Sequence, residues 1–341
     1  MNERGSLRWL CCPLCKRDLD RRADAYGCDA CDRRYPIVLD IPDLRVYPDP
    51  HLSFAEDHDK GRQVEQQAER LSFAELLQFY WDHVAKAPPP AALRNRFVRH
   101  VLDDEPRAAG LPLGDARGGV CLDVGCGASA LPRVLRAHFE TVFATDIGFR
   151  WMVLARKRLD EAKTSAELVC CCADYLPFRS HTFDLVTAVS LVEHTPDARA
   201  VFADCARVLR DRGHLFVVTT NRYALAPEPH VRIWGLGFLP RSWMPHVVRW
   251  RRALAYDKFH LLSLSQVRRL LNDTGFSALA FSLPEIRRAD LEGRSALERV
   301  GARVFRRVAN LRALRSLLMR IAPIIQVLAT RRTTSKRSGA A

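Results

Sequence analysis

GGVCLDVGCGASAL, Gly118 to Leu131, decides how the rest of the chain is read. Val120, Cys121 and Leu122 form a short apolar run that reads as a buried strand. The run ends in Asp123-Val124-Gly125-Cys126-Gly127-Ala128-Ser129, and Leu131, Val134 and Leu135 then recur at helical spacing. Strand, glycine turn and helix open a nucleotide-binding βαβ unit. Glycines at 125 and 127 allow a tight turn and leave no Cβ between backbone and ligand. The third glycine of a dinucleotide fingerprint is absent, because Ala130 stands in its place. The next apolar run, Thr141 to Asp146, ends in an acid. A carboxylate at that point accepts the ribose hydroxyls of an adenosine.

Outward from this stretch the pattern alternates. Strands are expected over 119–124, 141–146, 167–172, 183–190, 214–220 and 276–281, with helices over 129–139, 149–162, 197–210 and 264–274. That order predicts an α/β class, with a parallel sheet covered by helices on both faces. Upstream, Ser72-Phe73-Ala74-Glu75 is a capping box that should start a helix running to about Ala85. Pro88-Pro89-Pro90 ends it, and a second helix is expected over 91–102. Tyr80 and Trp81 on the first helix suit core packing better than a cofactor lid. Residues 41–60, rich in Pro and Asp, read as a linker.

The N-terminus carries two CxxC knuckles, Cys12-Pro13-Leu14-Cys15 and Cys28-Asp29-Ala30-Cys31, with 12 residues between them. Four thiolates at that spacing suit a tetrahedral zinc ion, Zn2+, and Tyr26 and Tyr35-Pro36-Ile37 suit the strands of a ribbon. So small a unit needs the metal for its folding energy. A metal-free ribbon or a redox pair is the alternative. The run CPLC…CDAC…RYPI…IPDL resembles the small zinc-ribbon domain that acts alone as a methyltransferase activator and is fused to the front of some bacterial methyltransferases.

The later motifs make the core's resemblance specific. Over about 117–285 the chain resembles the class I S-adenosylmethionine-dependent methyltransferases. Leu122-Asp123-Val124-Gly125-Cys126-Gly127 matches the family's first motif, and Asp146 its ribose-binding acid. Cys172-Ala173-Asp174-Tyr175-Leu176-Pro177-Phe178 matches the third, whose Asp meets the adenine amino group. Phe183-Asp184-Leu185-Val186, Ala206-Arg207-Val208-Leu209-Arg210 and Gly213-His214-Leu215 match the fourth strand and the approach to the fifth. The resemblance implies a Rossmann-like seven-stranded methyltransferase sheet binding S-adenosylmethionine. Its cofactor set here is Asp123, Gly125, Cys126, Gly127, Asp146, Ile147, Asp174, Tyr175 and Ser190, with Asp123 holding the ammonium directly or through water, or else serving as a helix-capping or turn carboxylate. The family's seventh strand lies antiparallel between strands five and six, and Ile324 to Ala329 is the candidate.

The totals bound the rest. The 341 residues allow two domains, and 48% hydrophobic with 27% charged residues fits a globular protein. Met1 to Arg8 has no apolar signal core, and no run of about 18 uncharged apolar residues predicts a membrane span. Six cysteines outside the ribbon (121, 126, 170, 171, 172, 205) lie on apolar segments and read as small hydrophobes, which points to a reducing cytoplasm rather than a disulfide scaffold. The net charge of +14 is concentrated: from Arg287 onward 14 basic residues face three acids, leaving +3 for the other 286.

The acceptor side rests on fewer residues. Ser190-Leu191-Val192-Glu193-His194 ends the fourth strand, at the carboxyl edge where such sheets bind ligands. His194 is a candidate general base, with cofactor orientation or helix capping as the alternative. Asn221 to Gly235 mixes prolines, aromatics and polar groups, and within it Glu228 and His230 form a candidate catalytic pair, or charges on a packed lid. Residues 296–321 carry Leu297, Val300, Val304, Val308, Leu311, Leu314, Leu318 and Ile321 at steps of three and four, interleaved with arginines and broken near Asn310. This basic amphipathic helical insertion packs on the core with its arginines solvated, caps the substrate pocket, lies on an anionic membrane surface, or tracks nucleic-acid phosphates.

The expected division is a zinc ribbon over 1–46, linker and N-terminal helices over 47–116, the cofactor-binding core over 117–285, the helical insertion over 286–322, a last strand over 323–332 and a disordered tail over 333–341. The leading reading is a cytoplasmic methyltransferase acting at oxygen on a small-molecule, lipid or glycan acceptor, with peripheral membrane contact through 296–321 as an alternative to packing of that segment on the core. The rivals are an RNA base methyltransferase and a non-catalytic zinc-ribbon interaction protein. The chain lacks the Asn/Asp-Pro-Pro-Tyr motif common in amino-group methylation, and the intact Asp123, Gly125, Gly127, Asp146 and Asp174 argue against a non-catalytic protein.

Overall fold

The computed structural model describes residues 8–86, 91–114, 117–128, 130–287, 291, 295–309 and 311–333. Pro88–Pro90, Ser129, Asn310 and nearly all of the expected tail lie outside the described residues.

The cysteine region forms a four-stranded sheet in the order β1 (Asp20–Arg21), β2 (Ala25–Cys28), β3 (Arg33–Val38), β4 (Ile41–Pro42). Among the described residues a second sheet has seven strands: β5 (Val120–Val124), β6 (Thr141–Asp146), β7 (Glu167–Cys170), β8 (Phe183–Val189), β9 (Leu209–Thr220), β10 (Phe276–Ser282) and β11 (Ile324–Arg331). Their order is β10-β11-β9-β8-β5-β6-β7, so the last strand in sequence lies between β9 and β10, where the resemblance placed it. β5 pairs in parallel with β6 and with β8, and β6 in parallel with β7. All five residues of β5 are buried, as expected of a central parallel strand covered on both faces.

By its contacts the chain divides into two compact units, Met1–Ala188 with Ala200–Leu215 and Arg331–Ala341, and Val189–Arg199 with Phe216–Thr330.

In the first unit the reading of 41–60 as a linker is overturned. Ile41–Pro42 completes the ribbon sheet, and Asp43, Leu44 and Arg45 are buried. Helix α1 (Phe54–Ala68) starts at a capping box of Ser53 and Glu56. The charges here are paired inside the protein rather than solvated. Arg45 Nη2 donates to Asp43 at 2.6 Å, and its Nη1 donates to Asp57 at 2.7 Å. Asp57 also accepts the Phe149 N–H at 2.7 Å and the Arg150 side chain at 2.8 Å. It therefore caps the first turn of the helix over Phe149–Glu161, where a negative charge is favoured.

The expected helix at Ser72 is α2 (Phe73–Phe79), prolonged by a π-helical turn over Tyr80–Val84. Tyr80 is buried and accepts from Arg150 Nε, and Trp81 packs against Phe97 and Trp151, so these aromatics are core. α3 (Ala91–Leu102) stands where the spacing placed it, and a short α4 (Glu105–Ala109) follows. The sheet helices are α5 (Leu131–Arg136), α6 (Phe149–Glu161) and α7 (Ala198–Val208). The six cysteines outside the ribbon are buried, as their apolar context implied.

In the second unit the segment after β9 is not an open loop. Val231, Ile233, Leu236, Met244, Val248, Tyr256 and Leu261 form a small apolar core, and a helix unforeseen in the sequence, α8 (Met244–Arg252), packs into it. α9 (Leu264–Asp273) then leads to β10. The basic insertion is two helices, α10 (Ala296–Ala309) and α11 (Arg312–Ile321). α10 buries none of its residues: Leu297 is 67% exposed and Val304 53%.

Candidate functional site

The first unit brings together the ends of β5 and β6. Asp123 and Thr187 are register partners on neighbouring strands. The Thr187 hydroxyl donates to Asp123 Oδ1 at 2.6 Å, while Oδ2 is buried with no hydrogen-bond partner among the described residues. Burial pushes the carboxyl up to about 7; the Thr187 bond opposes this, and the charges of Asp146 and Asp104 add to it. A buried carboxylate oxygen without a partner costs free energy until a donor meets it. A ligand ammonium is such a donor.

The glycine turn is held from below. Gly125 and Cys126 N–H groups both donate to the Thr145 carbonyl, at 2.7 and 2.9 Å. Gly125 and Gly127 have φ of 73° and 51°, a left-handed backbone that favours glycine. A Cβ on Gly127 would meet only open space, so the turn presents bare backbone. Asp146 accepts the Gly127 N–H at 2.9 Å on one oxygen and the Gly148 N–H at 2.8 Å on the other. It thus stitches the glycine turn to its own loop, and each oxygen retains a second lone pair for a hydroxyl. Burial raises its carboxyl, against those two backbone bonds. The Ile147 carbonyl accepts from Arg45 at 2.8 Å.

Asp174 accepts the Tyr47 hydroxyl at 2.6 Å, and Tyr175 stands edge-on to Tyr47 with ring centroids 6.2 Å apart. Tyr47 and Arg45 are the residues sequence reasoning missed here. Their segment read as linker because its acids suggested solvent.

In the second unit, Ser190 has a φ of 53°, a strained non-glycine conformation at the exit of β8. Its N–H donates to the Val218 carbonyl at 2.8 Å. Glu193 is fully buried: Thr219 Oγ1 donates to it at 2.7 Å and Thr220 Oγ1 at 3.0 Å. Its carboxylate is an anchor, and its neighbour His194 is left exposed. The structure brings His194, His230 and Glu228 together. The two imidazoles lie 5.0 Å apart and perpendicular, and Phe259 packs against both.

Glu228 is buried and accepts the backbone N–H groups of His230 and Val231, each at 2.8 Å. Its other oxygen lies 2.5 Å from His230 Nδ1. A carboxylate only accepts, so Nδ1 carries the proton and Nε2 is the basic nitrogen. The His230 side chain is 24% exposed and so reachable. Buried Tyr256 lies near the pair; burial, then the Glu228 charge, raise its phenol above the ordinary range.

In the ribbon the Sγ atoms of Cys12, Cys15, Cys28 and Cys31 all lie within 4.8 Å of one another. Cys15 and Cys28 are 3.5 Å apart, and Cys12 and Cys31 4.0 Å. Tetrahedral zinc with bonds of about 2.3 Å needs roughly 3.8 Å between sulfurs. The four residues therefore fit a zinc ion.

Residues 122–217 match a known domain family described as a methyltransferase domain. Over 158 residues the chain is 32% identical to the ubiquinone biosynthesis O-methyltransferase of Thiobacillus denitrificans, covering 46% of this chain and 64% of that one. The enzyme of the same name from Aliivibrio fischeri is 30% identical over 156 residues, covering 46% and 63%. The chain thus spans under two thirds of the length of these curated relatives. Among solved structures, an S-adenosylmethionine-dependent methyltransferase from Mesorhizobium loti aligns with a TM-score of 0.46 at 18% identity, covering 67% of this chain and 97% of that one.

Proposed function

We propose, from the premise that the chain carries a class I S-adenosylmethionine-dependent methyltransferase domain, that it methylates a hydroxyl of a small-molecule acceptor. The observation that carries the oxygen reading is the Glu228–His230 pair. When bound, S-adenosylmethionine supplies an electrophilic methyl group on a sulfonium. The chain's residues then have three tasks: to hold the cofactor, to align the acceptor, and to take its proton.

Asp123 Oδ2 accepts the ammonium of the methionine part. The turn Gly125-Cys126-Gly127 gives that part backbone contact without side chains. Asp146 takes the ribose and Asp174 the adenine, with Ile147 and Tyr175 flanking them and Ser190 fixing the strand exit. His230 Nε2 accepts the acceptor's hydroxyl proton, and Glu228 stabilises the imidazolium that forms. His194, packed against the same phenylalanine, orients the acceptor.

The relatives' names make a hydroxylated quinone precursor the first acceptor to assay. Calorimetry with S-adenosylhomocysteine tests the cofactor half, and failure to bind would sink it. Changing His230→Gln should lower kcat by 100-fold or more, in the usual range for a lost general base, with cofactor affinity unchanged. Equal turnover in the folded variant would overturn the base assignment.

Structural zinc at Cys12, Cys15, Cys28 and Cys31 belongs to this reading. Metal analysis should find one ion per chain, and Cys28→Ser should abolish it and lower the melting temperature. Among the described residues no helix is long and apolar enough to cross a membrane. The exposed apolar stripe of α10 with its arginines favours contact with an anionic membrane surface on the cytoplasmic side. It disfavours a nucleic-acid role, which has no use for exposed Leu297 and Val304.

A further inference from the structure

Residues 43–47 precede the methyltransferase domain by more than 70 positions, yet they run beside β7. Asp43 forms a parallel bridge with Cys170, and the Leu44 N–H donates to the Cys170 carbonyl at 2.8 Å. The Cys172 thiol donates to the Tyr47 carbonyl at 3.5 Å. One end of the segment is locked by the buried Asp43–Arg45–Asp57 set. The segment then reaches both loops assigned to the adenosine. Arg45 holds the Ile147 carbonyl, next to Asp146, and Tyr47 holds Asp174.

We infer that Tyr47 is a positioning residue that aims Asp174 at the adenine amino group, so that the segment behind the ribbon completes the cofactor site. The inference rests on the reading of Asp174 as the adenine acid. The phenol donates to Oδ1 and leaves Oδ2 as the acceptor for an incoming N–H. A carboxylate so held pays less ordering entropy on binding than one free to rotate. The contact also selects: a 6-amino group donates to Oδ2, whereas a 6-oxo group would set two acceptors against each other. The edge-on contact with Tyr175 fixes the Tyr47 ring itself.

The test compares S-adenosylhomocysteine with its 6-oxo analogue, S-inosylhomocysteine, by calorimetry on the full chain. The parent protein should prefer the amino compound by tenfold or more, the usual penalty for an unpaired polar contact. Tyr47→Phe keeps the ring and the packing, so a packing role alone predicts no change. The inference predicts that the preference falls by about tenfold, with unchanged melting temperature and zinc content. A preference kept in Tyr47→Phe overturns it. A parent protein that binds both compounds equally sinks the Asp174 assignment itself, which is a different failure. Should Tyr47→Phe lower the melting temperature, Asp174→Asn alone and combined with it decides the matter: non-additive losses of affinity support the coupling, and additive losses overturn it.

Discussion

Asp123 shows how a single residue can be placed against its own stability. It is buried at the end of a central strand, with one oxygen bonded to Thr187 and the other bare. Its carboxyl is raised by burial to about 7, above the unfolded value near 3.8. Between those values the native chain binds more protons than the unfolded one. Stability therefore falls as pH rises through this window and is lowest above it, by up to roughly 4 kcal/mol. A bound ammonium restores what ionisation removes. Cofactor product should thus raise the melting temperature more at pH 8 than at pH 5. Calorimetry in buffers of different ionisation enthalpy should show proton release on binding near pH 6.5. Asp123→Asn should weaken binding by tenfold or more while leaving the ligand-free protein at pH 8 as stable as before or more so. A variant with unchanged affinity and no proton release would remove Asp123 from the site. The strand-turn pattern of 118–131 and the acid ending the next strand made Asp123, Gly125, Gly127 and Asp146 legible as candidates, while Asp174 was legible only through the resemblance of 172–178 to the family's third motif. The sequence did not make Tyr47 legible, since Asp174 lies more than 100 residues away, nor the reach of Arg45 to the Ile147 carbonyl, although its partners Asp43 and Asp57 are close in sequence.

At the scale of elements, local signals were legible in proportion to how locally they are enforced. The strands of the large sheet announced themselves by apolar runs, and α2 by its capping box. The same four residues, Ser-Phe-Ala-Glu, occur at 53–56 and start α1 by the same two hydrogen bonds, a signal present and unread. α8 was hidden because Trp250 and three arginines obscure its apolar face. The amphipathic pattern of α10 correctly gave a helix but not what its apolar side meets, because periodicity is silent on partners. With that side open, α10 should carry part of any membrane affinity. Leu297, Val300 and Val304 changed together to Ser should reduce sedimentation with phosphatidylglycerol vesicles at least tenfold, since each removes apolar burial worth about 1 kcal/mol or more. Binding that stays equal in the triple variant would assign the arginines alone to the interaction, or none of the helix. Turnover with a water-soluble acceptor should be unaffected.

At the scale of the molecule, the ribbon and the loops that follow β5, β6 and β7 belong to one compact unit. Cys11 N–H donates to the Pro177 carbonyl and Arg179 N–H to Trp9, both at 2.9 Å, while Lys16 pairs with Asp204. Asp57 is the centre of the charged set that joins the first 60 residues to α6. Its removal leaves Arg45 and Arg150 buried with fewer counter-charges, so Asp57→Ala should cost about 3–5 kcal/mol. That corresponds to a melting temperature lower by roughly 10 °C in a unit of this size, measurable by scanning calorimetry. The distances along the chain also set an order in time. Asp43, Arg45 and Asp57 leave the ribosome about 100 residues before Ile147 and Arg150, a wait of roughly 5–20 s at ordinary elongation rates. The four cysteines are close enough in sequence to gather a metal ion during that wait. Asp43, Arg45 and Asp57 can pair with one another during that wait, but Asp57 lacks the Phe149 N–H and Arg150, and Arg45 the Ile147 carbonyl, until β6 and α6 are made. Newly made chains thus pass through a stage in which the ribbon trails a partly paired charged tether, and the large sheet with α6, arriving later, completes that pairing.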